Sequence, residues 1–485
     1  MPRKNISPRK AKRKQKAART SRTPVRSLPE SIPPADYLEP VWSHLTEETC
    51  QEVFEATRDR ERQRKWTLST LMRVWVGLLQ NPMLSQTEAV EACAGGKHAL
   101  FPKVEASSES FFMRIASLRP TFFRNLFLRF TMAIQSELSL TFASDLSVSV
   151  EVFPEIYVID GSRLAKVGRV LKVARNTTKA IIPGSMEALY DLRRGVLRDL
   201  WFDPDGARSE MAMLDQVLGS VKEGALLIND RYYPKPVIWR KMADKKLWMV
   251  SRYNATVGKK KIRSLRKVRN SKIAIDDWIV DMGGSQHGEE PVTLRWVHVR
   301  NGDFDLILIT NVLDPKLLSV DQLLELYGYR WSVERMYLHL KEVLALNRIF
   351  NASPSAVGQQ TYATAIIYNA LRLAQSKIAS KLKIPPERFS PDKLFPKLIE
   401  RLVQRTWLGQ GAQWQRERSG MKQLSEKQWR EMEAELNCHP ALKLSLEGVL
   451  VEKRTEVKRK RRFCKGRKTW TTYRKIPGAK KLLRI

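Results

Sequence analysis

Two short runs of β-branched and aliphatic residues, each ending on an acid, constrain this chain more than anything else in it. VFPEIYVIDGSRL (152–164) and GALLINDRYY (224–233) show no strict apolar/polar alternation on the way to the acid. Continuous runs of this kind belong to strands covered on both faces. MAMLDQVLGSV and PKPVIWRKMADKK have helical pattern, and LWMVSRYN (247–254) reads as a third strand. Strands alternating with helices predict an α/β domain. Asp160 and Asp230 then stand at strand ends, where side chains project from a rigid frame at the edge of a sheet.

A carboxylate closing an apolar run needs a positive partner. A divalent cation is a natural one, because hard cations take oxygen ligands. Asp-Gly is also a common turn pair, and a single such Asp favours the turn. Two in one α/β unit favour chemistry. A third acid lies in LYGYRWSVERMYLHLKEVL (326–344), where Arg330, Glu334 and Lys341 follow Tyr327 at offsets of three, seven and fourteen. On one continuous helix, at about 100° per residue, these four share a stripe roughly 60° wide. Val333, Met336, Leu340, Val343 and Leu344 gather on another face. Gly328 is the point at which that helix can kink. Arg330 and Lys341 suit phosphate, Arg through paired hydrogen bonds. The plain alternative is a surface ion-pair network, since Glu and Lys often pair along helices.

Charge narrows the partner. Lys and Arg number 86 against 51 Asp and Glu, a formal net charge of +35. A polyanion is the expected counterpart, nucleic acid before an anionic membrane surface. The four cysteines form no CxxC pair, so neither a zinc ribbon nor a disulfide framework is expected. No apolar run reaches the ~18 residues that suggest a membrane span, and no phosphate-binding GxxxxGK[ST] loop occurs.

Composition and pattern divide the chain as follows. Residues 1–35 form a disordered basic arm, and 36–148 a helical N-terminal domain suited to DNA binding. Residues 149–257 and 317–385 form an α/β core, interrupted by a β-strand insertion at 258–316. A helical C-terminal region follows at 386–450, then a basic tail at 451–485.

The spacing Tyr327-x2-Arg330-x3-Glu334-x6-Lys341 resembles the YREK signature of the insertion-sequence transposases typified by the fourth insertion-sequence group. Ile159–Ser162 is similar to the strand end that carries that family's first aspartate, and Leu226–Tyr233 to the one carrying its second. The resemblance covers about 150–350 well, the front helices weakly and the last hundred residues poorly. It departs at Arg231–Tyr232–Tyr233, where many members have glycine after Arg. The resemblance implies an RNase H-like α/β (α+β) core and a catalytic, metal-binding triad of Asp160, Asp230 and Glu334. It implies two Mg²⁺ ions, with Mn²⁺ as substitute. It implies cleavage at transposon ends and strand transfer into target DNA. It also implies DNA contacts through Tyr327, Arg330 and Lys341, with Arg231 as a further candidate. Trp296, in the insertion, is a candidate for stacking on a flipped base, with a tryptophan of the strand core as the alternative. A homodimer in the synaptic complex and a cytoplasmic, nucleoid-associated location follow from the same reading, with no membrane partner. The alternatives are a non-catalytic DNA-binding descendant and a nuclease without a joining step.

Overall fold

The continuous apolar runs become adjacent central strands because each is buried on both sides. The computed structural model describes residues 29–451, apart from Glu30 and several internal stretches, the longest being 165–183. The basic arm and the basic tail therefore fall almost wholly outside the described residues.

The front is helical: α1 (Glu47–Thr57), α2 (Leu68–Gln80), α3 (Gln86–Gly95), α4 (Ser108–Ser117) and α5 (Thr121–Gln135). Local chemistry sets their starts. Thr46, Thr67 and Ser107 each accept a hydrogen bond from the third residue onward. Ser85 and Glu88 form a reciprocal capping box, as their spacing predicts.

The sheet has nine strands among the described residues: β1 (Ile156–Arg163), β2 (Ser185–Asp191), β3 (Val196–Asp203), β4 (Leu226–Asn229), β5 (Trp248–Arg252), β6 (Lys259–Arg269), β7 (Ala274–Met282), β8 (Val292–Asn301) and β9 (Phe304–Thr310). Their order is β3-β2-β1-β4-β5-β9-β8-β7-β6. β3, β2 and β1 form an antiparallel meander. β4 joins β1 in parallel, and β5 joins β4 in parallel. β6 to β9 extend this same sheet, because β9 pairs antiparallel with β5.

One face of the sheet packs into a core that runs from Ile32 to Val449 and includes the front helices. The other packs into a smaller core under α6 (Leu214–Ser220) and α7 (Pro236–Asp244). The larger face is closed by α8 (Val320–Gly328), α9 (Trp331–Leu338) and the long α10 (Pro354–Leu382). α11 (Pro391–Arg418) and α12 (Glu426–Cys438) follow. α10 is buried along most of its length, so its polar side chains must be satisfied internally. Asn369 donates to the Leu197 carbonyl at 2.8 Å and accepts from its N–H at 2.9 Å. Gln359 donates to the Leu118 carbonyl at 2.9 Å. No described helix is long and apolar enough to cross a membrane.

The single helix expected over 326–344 is corrected. α8 ends at Gly328, Tyr329 and Arg330 form a turn, and α9 starts at Trp331. A π-helical turn over His339–Val343 then follows, with the Leu344 N–H reaching the His339 carbonyl at 2.9 Å. Gly328, exposed and without a side chain, contributes nothing to packing and little to helix stability. The π turn inserts extra backbone and resets the angular phase. The straight-helix stripe thus fails as geometry, although its residues still converge.

Candidate active site

Register brings the two aspartates together. The β1–β4 ladder pairs Val158 with Ile228. Asp160 and Asp230 each lie two residues further on, so they occupy equivalent positions on neighbouring parallel strands. Side chains alternate with period two, which puts both on the face of Val158 and Ile228, the face of the larger core. The β4–β5 ladder pairs Ile228 with Val250, which brings Arg252 beside Asp230 on that same face.

Each aspartate oxygen Oδ1 accepts the N–H of the next residue, Gly161 at 3.1 Å and Arg231 at 2.6 Å. The Arg231 side chain is exposed just beyond. Tyr233 donates to the buried carboxylate of Glu187 on the opposite face, which anchors the turn after Asp230.

α9 lies across this sheet end. Val333 and Met336 face the core, and the Tyr337 hydroxyl donates to the Asp160 carbonyl at 2.8 Å. Glu334, one turn earlier, is half-buried. Its carboxylate meets Arg330 Nη2 at 2.7 Å. Lys341 donates to Ser162 Oγ at 2.5 Å and to the Arg163 carbonyl at 3.0 Å, pinning the π turn to the end of β1.

Arg330 is the electrostatic centre. It is 7% exposed, and its Nε is buried without a hydrogen-bond partner among the described residues. Burial opposes its charge, but Tyr327, Glu334 and Asp230 outweigh burial and raise its pKa. Tyr327 is half-buried at the end of α8, and burial pushes its phenol up to about 12 despite Arg330 nearby. Tyr327 and Arg330 thus lie beside Asp230, Glu334 pairs with Arg330, and Lys341 holds the end of β1, from successive elements and not from one helical stripe.

Among the described residues, no three acidic, His or Cys side chains already form a preassembled metal cluster. Asp160, Asp230 and Glu334 would together offer only carboxylate oxygen, a chemistry that suits a hard divalent cation. Arg330 holds Glu334 by a cation of the same sign as a metal would carry.

Trp296 does not join this site. It pairs with Ile309 across β8 and β9, which places it in the smaller core at 5% exposure. Lys259 and Lys261 lie over its ring at 4.9 and 5.7 Å. Sequence reading missed Arg252, Ser162 and Tyr337. The strand LWMVSRYN carried a signal for Arg252, since that Arg closes a buried run as the aspartates do.

The family described as Transposase DDE domain matches residues 153–370. A Sinorhizobium fredii protein named "Putative transposase y4zB" is 28% identical over 222 residues, 43% of this chain and 60% of that one. A Synechocystis protein named "Putative transposase for insertion sequence element IS4SA" is 28% identical over 116 residues, 23% of this chain and 33% of that one. The chain thus spans at most 60% of the length of these two curated relatives. A piggyBac transposase, solved as a synaptic complex with hairpin DNA, is a distant likeness with TM-score 0.33 and 11% identity, over 82% of this chain and 83% of that one. Domain match, relatives and the YREK-type spacing agree: residues 153–370 are similar to the transposase DDE domain, and both curated relatives are named as putative transposases.

Proposed function

We propose that this chain cuts DNA at transposon ends and joins it to target DNA, with Asp160, Asp230 and Glu334 as its metal-binding acids. One observation carries the reading. Two aspartates share register and face on adjacent parallel strands, and a helix bearing the glutamate is bonded to the first of those strand ends. The antiparallel meander continuing into two parallel strands supports an RNase H-like core over 149–257 and 317–385. The strands of 258–316 would then be its insertion.

The three carboxylates would hold divalent ions, two Mg²⁺ with Mn²⁺ as substitute. Such ions, when bound, stabilise charge on the attacking and leaving oxygens of a phosphoryl transfer. The chain's own residues do the positioning. Tyr337 and Lys341 hold the end of β1, and so Asp160, against α9. Arg330 offers a buried, unbonded Nε that fits a phosphate oxygen. Tyr327, Arg252 and the exposed Arg231 lie at the same end of the sheet, around Asp230. DNA ends and target would be the substrates, and pairing two ends requires at least a dimer. Work on chromosomal DNA implies the cytoplasm, at the nucleoid.

The second reading, a DNA-binding descendant without chemistry, draws on the Arg330–Glu334 ion pair, which keeps the third acid occupied. The deciding assay is Mg²⁺-dependent cleavage of DNA carrying the inverted repeats that flank the gene, wild type against Glu334→Gln. Cutting by wild type, with binding but at least ~100-fold slower cutting by the variant, supports the triad. Equal cutting removes Glu334 from it. Binding without cutting by both, under Mg²⁺ or Mn²⁺, favours the second reading.

A further inference from the structure

The last strand of the sheet, β6, is a charge run that became a strand. Seven of its eleven residues are Lys or Arg, and most are exposed. It ends the strand order, so no described strand pairs with its outer side. Regular alternation would send residues three apart to opposite faces. Two irregularities prevent that. Pairing with β7 skips Ile262 and then Leu265. Lys260, Arg263 and Arg266 consequently stand opposite Asp281, Ile279 and Asp277, every second residue of the partner strand.

Opposite residues share a face. The two bulges therefore turn a three-residue spacing into a one-sided row of cations, at steps of about 6.8 Å. The register of the whole sheet assigns that row to the face carrying the aspartates. Twist accumulates across the six strand-to-strand steps from β1 to β6, so the row is a separate contact and not a continuation of the acid site. The other face of β6 is used differently. Lys259 and Lys261 lie on aromatic rings, at 4.9 Å from Tyr253 and 4.5 Å from Trp278. Lys260 and Arg263 are exposed, and no described carboxylate forms an ion pair with either. Ile262, displaced by the first bulge, is 53% exposed, a position that stability alone does not favour.

We propose that Lys260, Arg263 and Arg266 form a track for the phosphate backbone of duplex DNA, remote from the acid site. The inference rests on the proposed function only in taking DNA as the partner. Phosphates recur about every 3.4 Å of axis per strand, and because the backbone winds around that axis their through-space separation is roughly twice as large, so cations about 6.8 Å apart match successive phosphates. Such contacts position DNA without reading its sequence.

The test uses the full chain and a duplex of unrelated sequence in EDTA, so that no cleavage intervenes. Kd is measured against salt for two variants of equal charge change: Lys260→Gln/Arg263→Gln/Arg266→Gln on the row, and Lys259→Gln/Lys261→Gln/Lys267→Gln on the opposite face. The row variant should lower the log–log salt slope by up to about 2.7, and the other by less than half of that. Equal losses would mean diffuse charge only, and no loss from the row variant would remove the track; either overturns the proposal. Should a triple variant melt earlier than wild type, Arg263→Gln against Lys267→Gln makes the same comparison. A slope that falls in a chain that cuts no DNA keeps the track and sinks the transposase reading. Cutting with an unchanged slope does the reverse.

Discussion

One side chain just past the end of α9 shows how burial sets chemistry. His339 opens the π turn, stacks on Tyr368 and meets Phe395 edge to face, 7% exposed. Burial, then Arg372 and Arg335, lowers its pKa from 6.5 to about 4. Asp392 lies 3.5 Å from Nε2 and pulls the other way, but it is largely solvated and does not prevail. The folded pKa is below the unfolded one, so the neutral ring stabilises the fold above pH 6.5. That stability fades as pH falls toward 4. Denaturant unfolding of wild type should lose about 2 kcal/mol between pH 7 and 4.5 from this group. His339→Phe, which keeps the stacking, should lose that much less over the same interval. An identical pH profile in both proteins would show that His339 is not the source.

β7 and β8 are joined by a charge pair that no surface would explain. Arg295 is fully buried and donates to Asp277 through Nε at 2.9 Å and Nη2 at 2.7 Å. It also donates through Nη1 to the Leu318 carbonyl at 2.5 Å, just before α8. The pair thus ties the added strands to the segment that leads into the candidate site. Breaking one partner strands a buried cation. Asp277→Ala should cost about 3–5 kcal/mol, read as a lower denaturant midpoint. A shift under ~1 kcal/mol would mean that water or another acid takes Asp277's place.

Length alone suggests several units, yet one core extends from Ile32 to Val449 and α10 is bonded to both the front helices and the sheet. Trp75 of α2 donates to Gln359 at 3.3 Å, and Asn369 donates to Thr131 of α5 at 2.9 Å. The smaller core shares its strands with the larger one. Thermal unfolding should therefore give one transition, with calorimetric and van't Hoff enthalpies in agreement. Two resolved transitions, with the front helices melting apart from the sheet, would contradict this.

Much of the site was legible in the chain before folding. Asp160 and Asp230 end buried runs because continuous apolar residues fit only a doubly covered strand. Ser85 and Glu88 cap α3 through contacts between near neighbours. The Arg330-x3-Glu334 spacing marked these two as one turn apart, and they do pair. All of these depend on local propensity and period, which a linear text carries. Folding alone decided the rest. The parallel register that aligns Asp160 with Asp230 and brings in Arg252 joins residues about seventy positions or more from Asp160. The face that takes Trp296 away from the acids follows from that register. KKKIRSLRKVR has no apolar alternation and would read as solvated loop, but the exposed edge of β7 offered it a ladder and two bulges aligned its charges. Pairing between distant segments is set by tertiary packing, and no window of neighbouring residues contains it.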